Sequence, residues 1–466
     1  MKLNVRIAVV LILLAAGWLV LYLRIPSTSF VSDEQVELRP GRHRLLPLND
    51  PAYNDDDARI EKRAPPVPPI PVNVIARPPK KEIRPETRIQ APLPPQKFPN
   101  KASFTQIAPD FTVQTIFDDR RIGNMGQRSV RIFLYNRRDS SIPATAHKSS
   151  LPNLTCIFDK KDHVEGTWYE LSENHARPWA AFILSCAVPQ GIEYVDDVVI
   201  DNSEGKVPWT SPPLPINYIV PAADPEEYTW EYSICSPLLF GSKYSVEDFV
   251  EWIELNRILG VQHITIYVDS PTINGGVKKA IEHYRKEGIL EPIELHETMK
   301  EVWYHGQLGM IEDCLLRHTN ASRFVAFQDV DEFIVSPPLG MSTLDILRSS
   351  LAGDVGSLRV PTQAMSINNS KHPRSLSNTE TFGVEDTLTT KCVVRPHMVF
   401  EQGIHHTSRV IYDHLKMERA SFVNLRVYHY RRTDPFTKND TSVIDKYGEK
   451  LKKAFDQALG FVGRAH

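Results

Sequence analysis

Cysteine is scarce in this chain, with five in 466 residues and none in a C-x-x-C pair. Thiolate metal sites are therefore not expected, and the odd number leaves at least one thiol unpaired or open to a second chain. Charge of one sign is lacking as well. Lys and Arg number 54 against 57 Asp and Glu, a formal balance of −3, and no basic block exceeds two or three residues. That argues against a nucleic-acid partner.

Long apolar runs are absent with one exception. Residues 7–23, IAVVLILLAAGWLVLYL, carry no charge and are flanked by Lys2, Arg6 and Arg24. As a helix the run spans about 25 Å, close to the bilayer core of about 30 Å. Lys2 and Arg6 would hold residues 1–6 in the cytosol as a short head and send everything after Arg24 into a lumen. No A-x-A-like cleavage site follows Leu23, which favours a signal-anchor over a cleaved signal. Sequons at Asn153, Asn320, Asn368 and Asn439 suit such a lumenal chain.

The chain is long enough for about two domains besides accessory segments. Twelve prolines fall within residues 64–99, with no aromatic before Phe98, so residues 24–102 read as an extended stem. Residues 103–225 hold short alternating stretches, FTVQTIF, SVRIFLYN, WAAFILSCAV and YVDDVVI, which predict a small β-rich domain with Cys156 and Cys186 as a candidate disulfide.

From residue 226 to 466 the pattern becomes α/β. WEYSICS, HITIYV, ILEPIEL and RFVAFQ read as strands, separated by helices. Ser245, with Asp248 three residues on, starts the first helix and Gly260 stops it. These repeats predict a mostly parallel sheet with flanking helices and a ligand site at the carboxyl ends of its strands. RFVAFQ, almost wholly apolar, reads as a central strand and runs into Asp329-Val330-Asp331-Glu332-Phe333. Acids two residues apart at a strand end lie about 7 Å apart on one side and can share a cation. Oxygen ligands suit Mn²⁺ or Mg²⁺, with positions left open for a diphosphate. An acidic pair alone is weak, since such pairs recur in solvated loops; its position is what gives it meaning.

Five stretches in order make the signal specific. CSPLLFG from Cys235, EWIELNRILGVQHITIYVDS from Glu251, GQLGMIEDCLLRH from Gly306, FVAFQDVDEFI from Phe324 and VYHYRR from Val427 together resemble glycosyltransferase family 92. The resemblance runs from Trp230 to the helical tail. It implies a GT-A fold and inverting transfer of galactose from UDP-galactose to a glycan, by a type II protein of the Golgi membrane. Family acceptors include core fucose of N-glycans in invertebrates and galactan in plants.

Carried over, Asp331 would ligate the metal, and Asp329 would bind it directly or through water and approach the ribose. Asp269 would meet the uridine, Cys235 and Ser236 would line the base pocket through their backbone, and Gln307 and Asp313 would face the donor. A third metal ligand is expected downstream, His405, His406 or His429, with His406 slightly favoured. Glu401, Glu380 and Asp386 are candidates for the base, Glu401 foremost; Arg395, Arg431 and Arg432 could hold phosphates. Two alternatives stay open: another UDP-sugar donor, or a non-catalytic carbohydrate-binding type II membrane protein. The stem or the odd cysteine could support a homodimer.

Overall fold

Past residue 228 the runs of Ile, Val and Tyr pair into a sheet, and the capped amphipathic segments between them pack on it as helices. The computed structural model describes residues 98, 101–138, 151–175, 177–219, 228–295, 299, 301–433 and 435–464. The expected head, membrane span and stem up to residue 97 lie outside these. Among the described residues no helix is long and apolar enough to cross a membrane.

β1 (Trp230–Leu239), α1 (Val246–Ile258), β2 (His263–Val268), α2 (Gly275–Lys286), β3 (Leu290–Leu295), α3 (Gln307–Arg317) and β4 (Ser322–Phe327) follow one another. Ser245 and Asp248 form the expected capping box at the start of α1. Gly260 takes a φ of +103° just past its end, a conformation other residues adopt at a cost. The four strands lie in the order β3-β2-β1-β4, all parallel. The chain steps outward from β1 and then returns to its other side, which makes the carboxyl ends of β1 and β4 the switch point of the sheet, where such folds hold their ligands.

Beyond β4 the sheet is mixed, with antiparallel pairs beside parallel ones, so the expectation of a mostly parallel sheet holds for the β-α repeats and in part for the rest. β5 (Glu332–Val335) follows β4 directly; then come α4 (Thr343–Ser350), β6 (Val355–Ser366), β7 (Asp386–Val394), β8 (Val399–Gln402), β9 (Thr407–Val410), β10 (Lys416–Arg419) and β11 (Arg426–Arg432). β7 runs antiparallel to both β4 and β6, β8 and β9 form a hairpin of their own, and β11 pairs antiparallel with β5, whereas β6 runs parallel to β10 and β11. Most of these strands are joined by loops too short for helical crossovers, and such connections suit antiparallel pairing. A last helix, α5 (Ser442–Arg464), packs across α1.

In the N-terminal half, strands Phe111–Asp119, Ser129–Arg137, Trp179–Ala187 and Thr167–Glu170 make an antiparallel sheet. The first three are buried along almost their whole length rather than on one face. Alternate side chains explain this. Val130, Ile132 and Leu134 point into a local core with Phe158, Phe182 and Ile200, which the Cys156–Cys186 disulfide ties. Phe117, Phe133, Tyr135 and Ile183 point the other way, against Leu308, Ile311 and Leu315 of α3.

α3 is thereby enclosed between two sheets, with all 11 of its residues buried. Gly309 makes the approach close: a Cβ there would lie 1.9 Å from Gln114 Oε1 and 2.6 Å from the Tyr135 hydroxyl. This shared cluster spans the two halves, beside one core that lies wholly in the β-rich half and another wholly in the α/β half. At the end of the expected stem, Lys101–Ala102 adds a short strand beside β3.

Candidate active site

Between β4 and β5, residues Gln328 to Asp331 form a turn, so the acidic pair sits on a bend rather than on a straight strand end. The Glu332 carboxylate accepts the Asp329 N–H at 2.9 Å, and the Glu332 N–H bonds to the Asp329 carbonyl at 3.1 Å. Gln328 Nε2 donates to the Glu332 carbonyl and to Asn256 Oδ1, each at 3.1 Å. From β11, the Tyr430 N–H reaches the Asp331 carbonyl at 3.0 Å.

Basic side chains surround the bend. Lys391 of β7, only 3% exposed, sets its ammonium 2.9 Å from Asp329 Oδ2 and 3.2 Å from Glu332 Oε2. The more exposed Lys243, on the loop after β1, reaches Asp331 Oδ2 at 3.4 Å. His429 of β11 lies with Nε2 3.6 Å from Asp331 Oδ1 and Nδ1 3.4 Å from Glu332 Oε1. Burial alone would raise the Asp331 carboxyl, but Lys243, His429 and Arg431 outweigh it and hold the group well below the usual range. Asp329 is lowered too, burial being offset chiefly by Lys391. Glu332 goes the other way because burial dominates.

The donor set fits a divalent cation in part. Asp331 and His429 offer an oxygen and a ring nitrogen 3.6 Å apart, two ligands that leave room for outside oxygens. Asp329, clamped by Lys391, suits a water-bridged or hydroxyl contact. Among the described residues, three donor atoms within 4.8 Å of one another occur at Cys235, Cys314 and His318. There the two sulfurs are joined as a disulfide, which removes them as ligands.

Several expected site residues are engaged elsewhere. His406, favoured from sequence, faces Glu173 at 3.4 Å, so His429 takes its place beside the acids. His405 bonds through Nδ1 to the Thr390 carbonyl at 3.2 Å, and burial lowers its pKa to about 4. Glu401 accepts the Tyr169 hydroxyl at 2.5 Å and the Ser172 N–H at 2.7 Å, so both its oxygens serve the seam between the two halves rather than a substrate hydroxyl.

Asp313 is bound by Thr115 at 2.8 Å, by Arg317 at 2.5 Å and by Tyr267, inside the enclosed α3; it faces the β-rich layer and not a donor. Gln307 opens the same helix and is buried. Cys235 is tied to Cys314, and its carbonyl accepts the Gln328 N–H at 3.3 Å, so this backbone group supports the bend. Ser236 is buried in β1.

Asp269 uses its carbonyl to form a turn with Thr272, as its place before Ser270-Pro271 suggests. Among the described residues its carboxylate takes no part in that turn. Asp386 binds Thr389 at 2.7 Å, Glu380 accepts from Asn368 at 2.8 Å, and Arg395 donates to the Gly353 carbonyl at 2.6 Å. The free thiol, Cys392, is buried, which removes it as a bridge to a second chain.

Sequence reasoning missed Lys391, Lys243 and Glu332. The run TTKCVV carried a signal, because a lysine in the middle of an apolar strand must find a buried partner. Missed too was the segment before α3, where Tyr304 (φ 42°), His305 (φ 58°) and Gly306 (φ 97°) follow one another in the left-handed region. Phe240, just past β1, packs edge-on against both Tyr304 and His305. Such strain, of roughly 1–3 kcal/mol per residue, persists where surroundings impose it and is common beside active sites.

Acids backed by lysines at the switch point of an α/β sheet make this an enzyme-type site. Residues 231–459 match the family model described as glycosyltransferase family 92. The chain is 34% identical over 377 residues to the beta-1,4-galactosyltransferase galt-1 of Caenorhabditis elegans, covering 79% of this chain and 85% of that one. It is 23% identical over 219 residues to the galactan beta-1,4-galactosyltransferase GALS1 of Arabidopsis thaliana, 44% of this chain and 42% of the other. This protein belongs to glycosyltransferase family 92.

Proposed function

We propose that the protein is a metal-dependent, inverting galactosyltransferase that moves galactose from UDP-galactose to a glycan in the Golgi lumen, anchored by residues 7–23. The galactosyl part is supported by the names of its relatives, beta-1,4-galactosyltransferases from an animal and a plant. The observation that carries the reading is Asp331 beside His429 at the switch point of the sheet.

Mn²⁺ or Mg²⁺ bound there would neutralise charge on the departing diphosphate. The chain's own groups have separable tasks. Lys391 and Glu332 hold Asp329 in position. Lys243, 42% exposed on its loop, can leave Asp331 for a phosphate oxygen. Asp269, beyond β2, has a carboxylate suited to ribose or uracil. Two disulfides and exposed sequons at Asn153, Asn368 and Asn439 support an oxidising, glycosylating compartment.

Purified protein should release UDP from UDP-galactose in the presence of an N-glycan panel and Mn²⁺, and stop when a chelator is added. UDP-glucose and UDP-N-acetylglucosamine run alongside test the donor. Absence of UDP release with every donor and acceptor would reduce the protein to a carbohydrate-binding role.

A further inference from the structure

Beside the β-rich sheet, residues 171–175 and 177–179 grip two segments of the α/β half. At one end, Trp179 Nε1 donates to Glu301 Oε2 at 2.9 Å. The His175 ring stacks on Trp303 with centroids 4.0 Å apart, and the Arg177 guanidinium lies over the same indole at 4.9 Å. These contacts hold the strained segment that leads into α3.

At the other end stands Glu173, 7% exposed. Its carboxylate accepts the N–H of Ile404 and, at 3.4 Å, that of His405, and it faces His406 Nδ1 at 3.4 Å. A Cβ on Gly403 would lie 2.1 Å from Glu173 Oε2, so only glycine lets the carboxylate seat itself on the tip of the β8–β9 hairpin. The tip is tied onward. His405 Nδ1 meets the Thr390 carbonyl at 3.2 Å, and the Thr390 hydroxyl donates to the His405 carbonyl at 2.5 Å. Thr390 adjoins Lys391, whose ammonium sits between Asp329 and Glu332.

We propose that Glu173 is a positioning residue for the acidic bend. Through the hairpin tip and Thr390 it fixes where Lys391 presents its ammonium, and hence how Asp329 stands toward Asp331. The β-rich layer thereby forms part of the donor site without touching the donor. The inference rests on the reading above, in that it takes the bend as the seat of a cation. A buried carboxylate that accepts two backbone N–H groups across a seam fixes both position and angle, which a purely apolar contact would not.

The test uses the full chain with Glu173→Ala, Glu173→Gln and Gly403→Ala. UDP binding is titrated by calorimetry at increasing Mn²⁺, amide exchange is followed over residues 403–406, and thermal midpoints are recorded. Glu173→Ala should raise the Mn²⁺ needed for half-maximal UDP binding about tenfold and speed exchange at the tip. Glu173→Gln, whose amide oxygen still accepts both N–H groups, should stay within about threefold.

Gly403→Ala displaces the carboxylate while keeping it and should follow Glu173→Ala; if Glu173→Ala does not fold, Gly403→Ala decides. Equal Mn²⁺ dependence in the wild type and these two variants would overturn the proposal. A wild type that binds no UDP with Mn²⁺ would overturn the metal reading itself, which is a different result.

Discussion

Asp331 stays ionised under burial because Lys243, His429 and Arg431 stand near it. Replacing it by Asn should leave the fold intact and cut transfer by about a hundredfold or more. His429→Ala should weaken Mn²⁺-dependent UDP binding by about 10- to 100-fold, whereas His406→Ala should change it little. Equal losses in the two histidine variants would sink the assignment.

Lys391 makes a different prediction. With methionine there, Asp329 and Glu332 would lose their common counter-ion, and urea denaturation should show a loss of about 3–5 kcal/mol. The acids were legible in sequence because an apolar strand ended on them. Lys391 was not, since it lies 62 residues from Asp329 and only the antiparallel pairing of β4 with β7 brings them together. Which histidine would stand beside the acids was not legible for a related reason. His405 and His406 sit on the hairpin loop between β8 and β9, where the period of two of a strand does not hold.

Among the elements, α3 is the least ordinary. Its sequence, QLGMIEDCLLR, has polar residues at positions that a solvated helix face would fill, yet the whole helix is buried against a second sheet. The β-α order was readable because each strand is a short apolar run closed by a cap or a glycine. That the β-rich strands would be covered on both faces was not, because alternation shows where side chains point and not what meets them.

Gly309→Ala should strain the seam by about 1–3 kcal/mol and lower the thermal midpoint, while Gly276→Ala in α2, where the nearest atom is 3.2 Å away, should cost less. An unchanged midpoint for Gly309→Ala would mean that the layers can part without penalty.

For the molecule as a whole, the seam carries a signature in pH. Glu312 on α3 accepts the Gln402 N–H at 2.7 Å with one oxygen, and the other has no hydrogen-bond partner among the described residues. Burial, helped by the nearby Glu401, pushes its carboxyl well above the ordinary range, so the folded protein keeps a proton that the unfolded chain gives up. Its contribution is therefore fully present below the unfolded pKa of about 4.3 and is lost as pH rises. Glu312→Gln removes that loss. The variant's thermal midpoint should match the wild type near pH 4.5 and exceed it by a margin that widens toward pH 8. A constant margin would show that Glu312 is ionised at the seam.

The enclosure of α3 also sets an order of events in the cell. The β-rich layer leaves the ribosome complete at about residue 219, while the helix that must cover Phe117, Phe133 and Ile183 begins only at Gln307. For that interval of synthesis a greasy face stands uncovered. Nascent chains halted in this interval should be captured by folding assistants that bind apolar surface, and chains extended past Arg317 should be released.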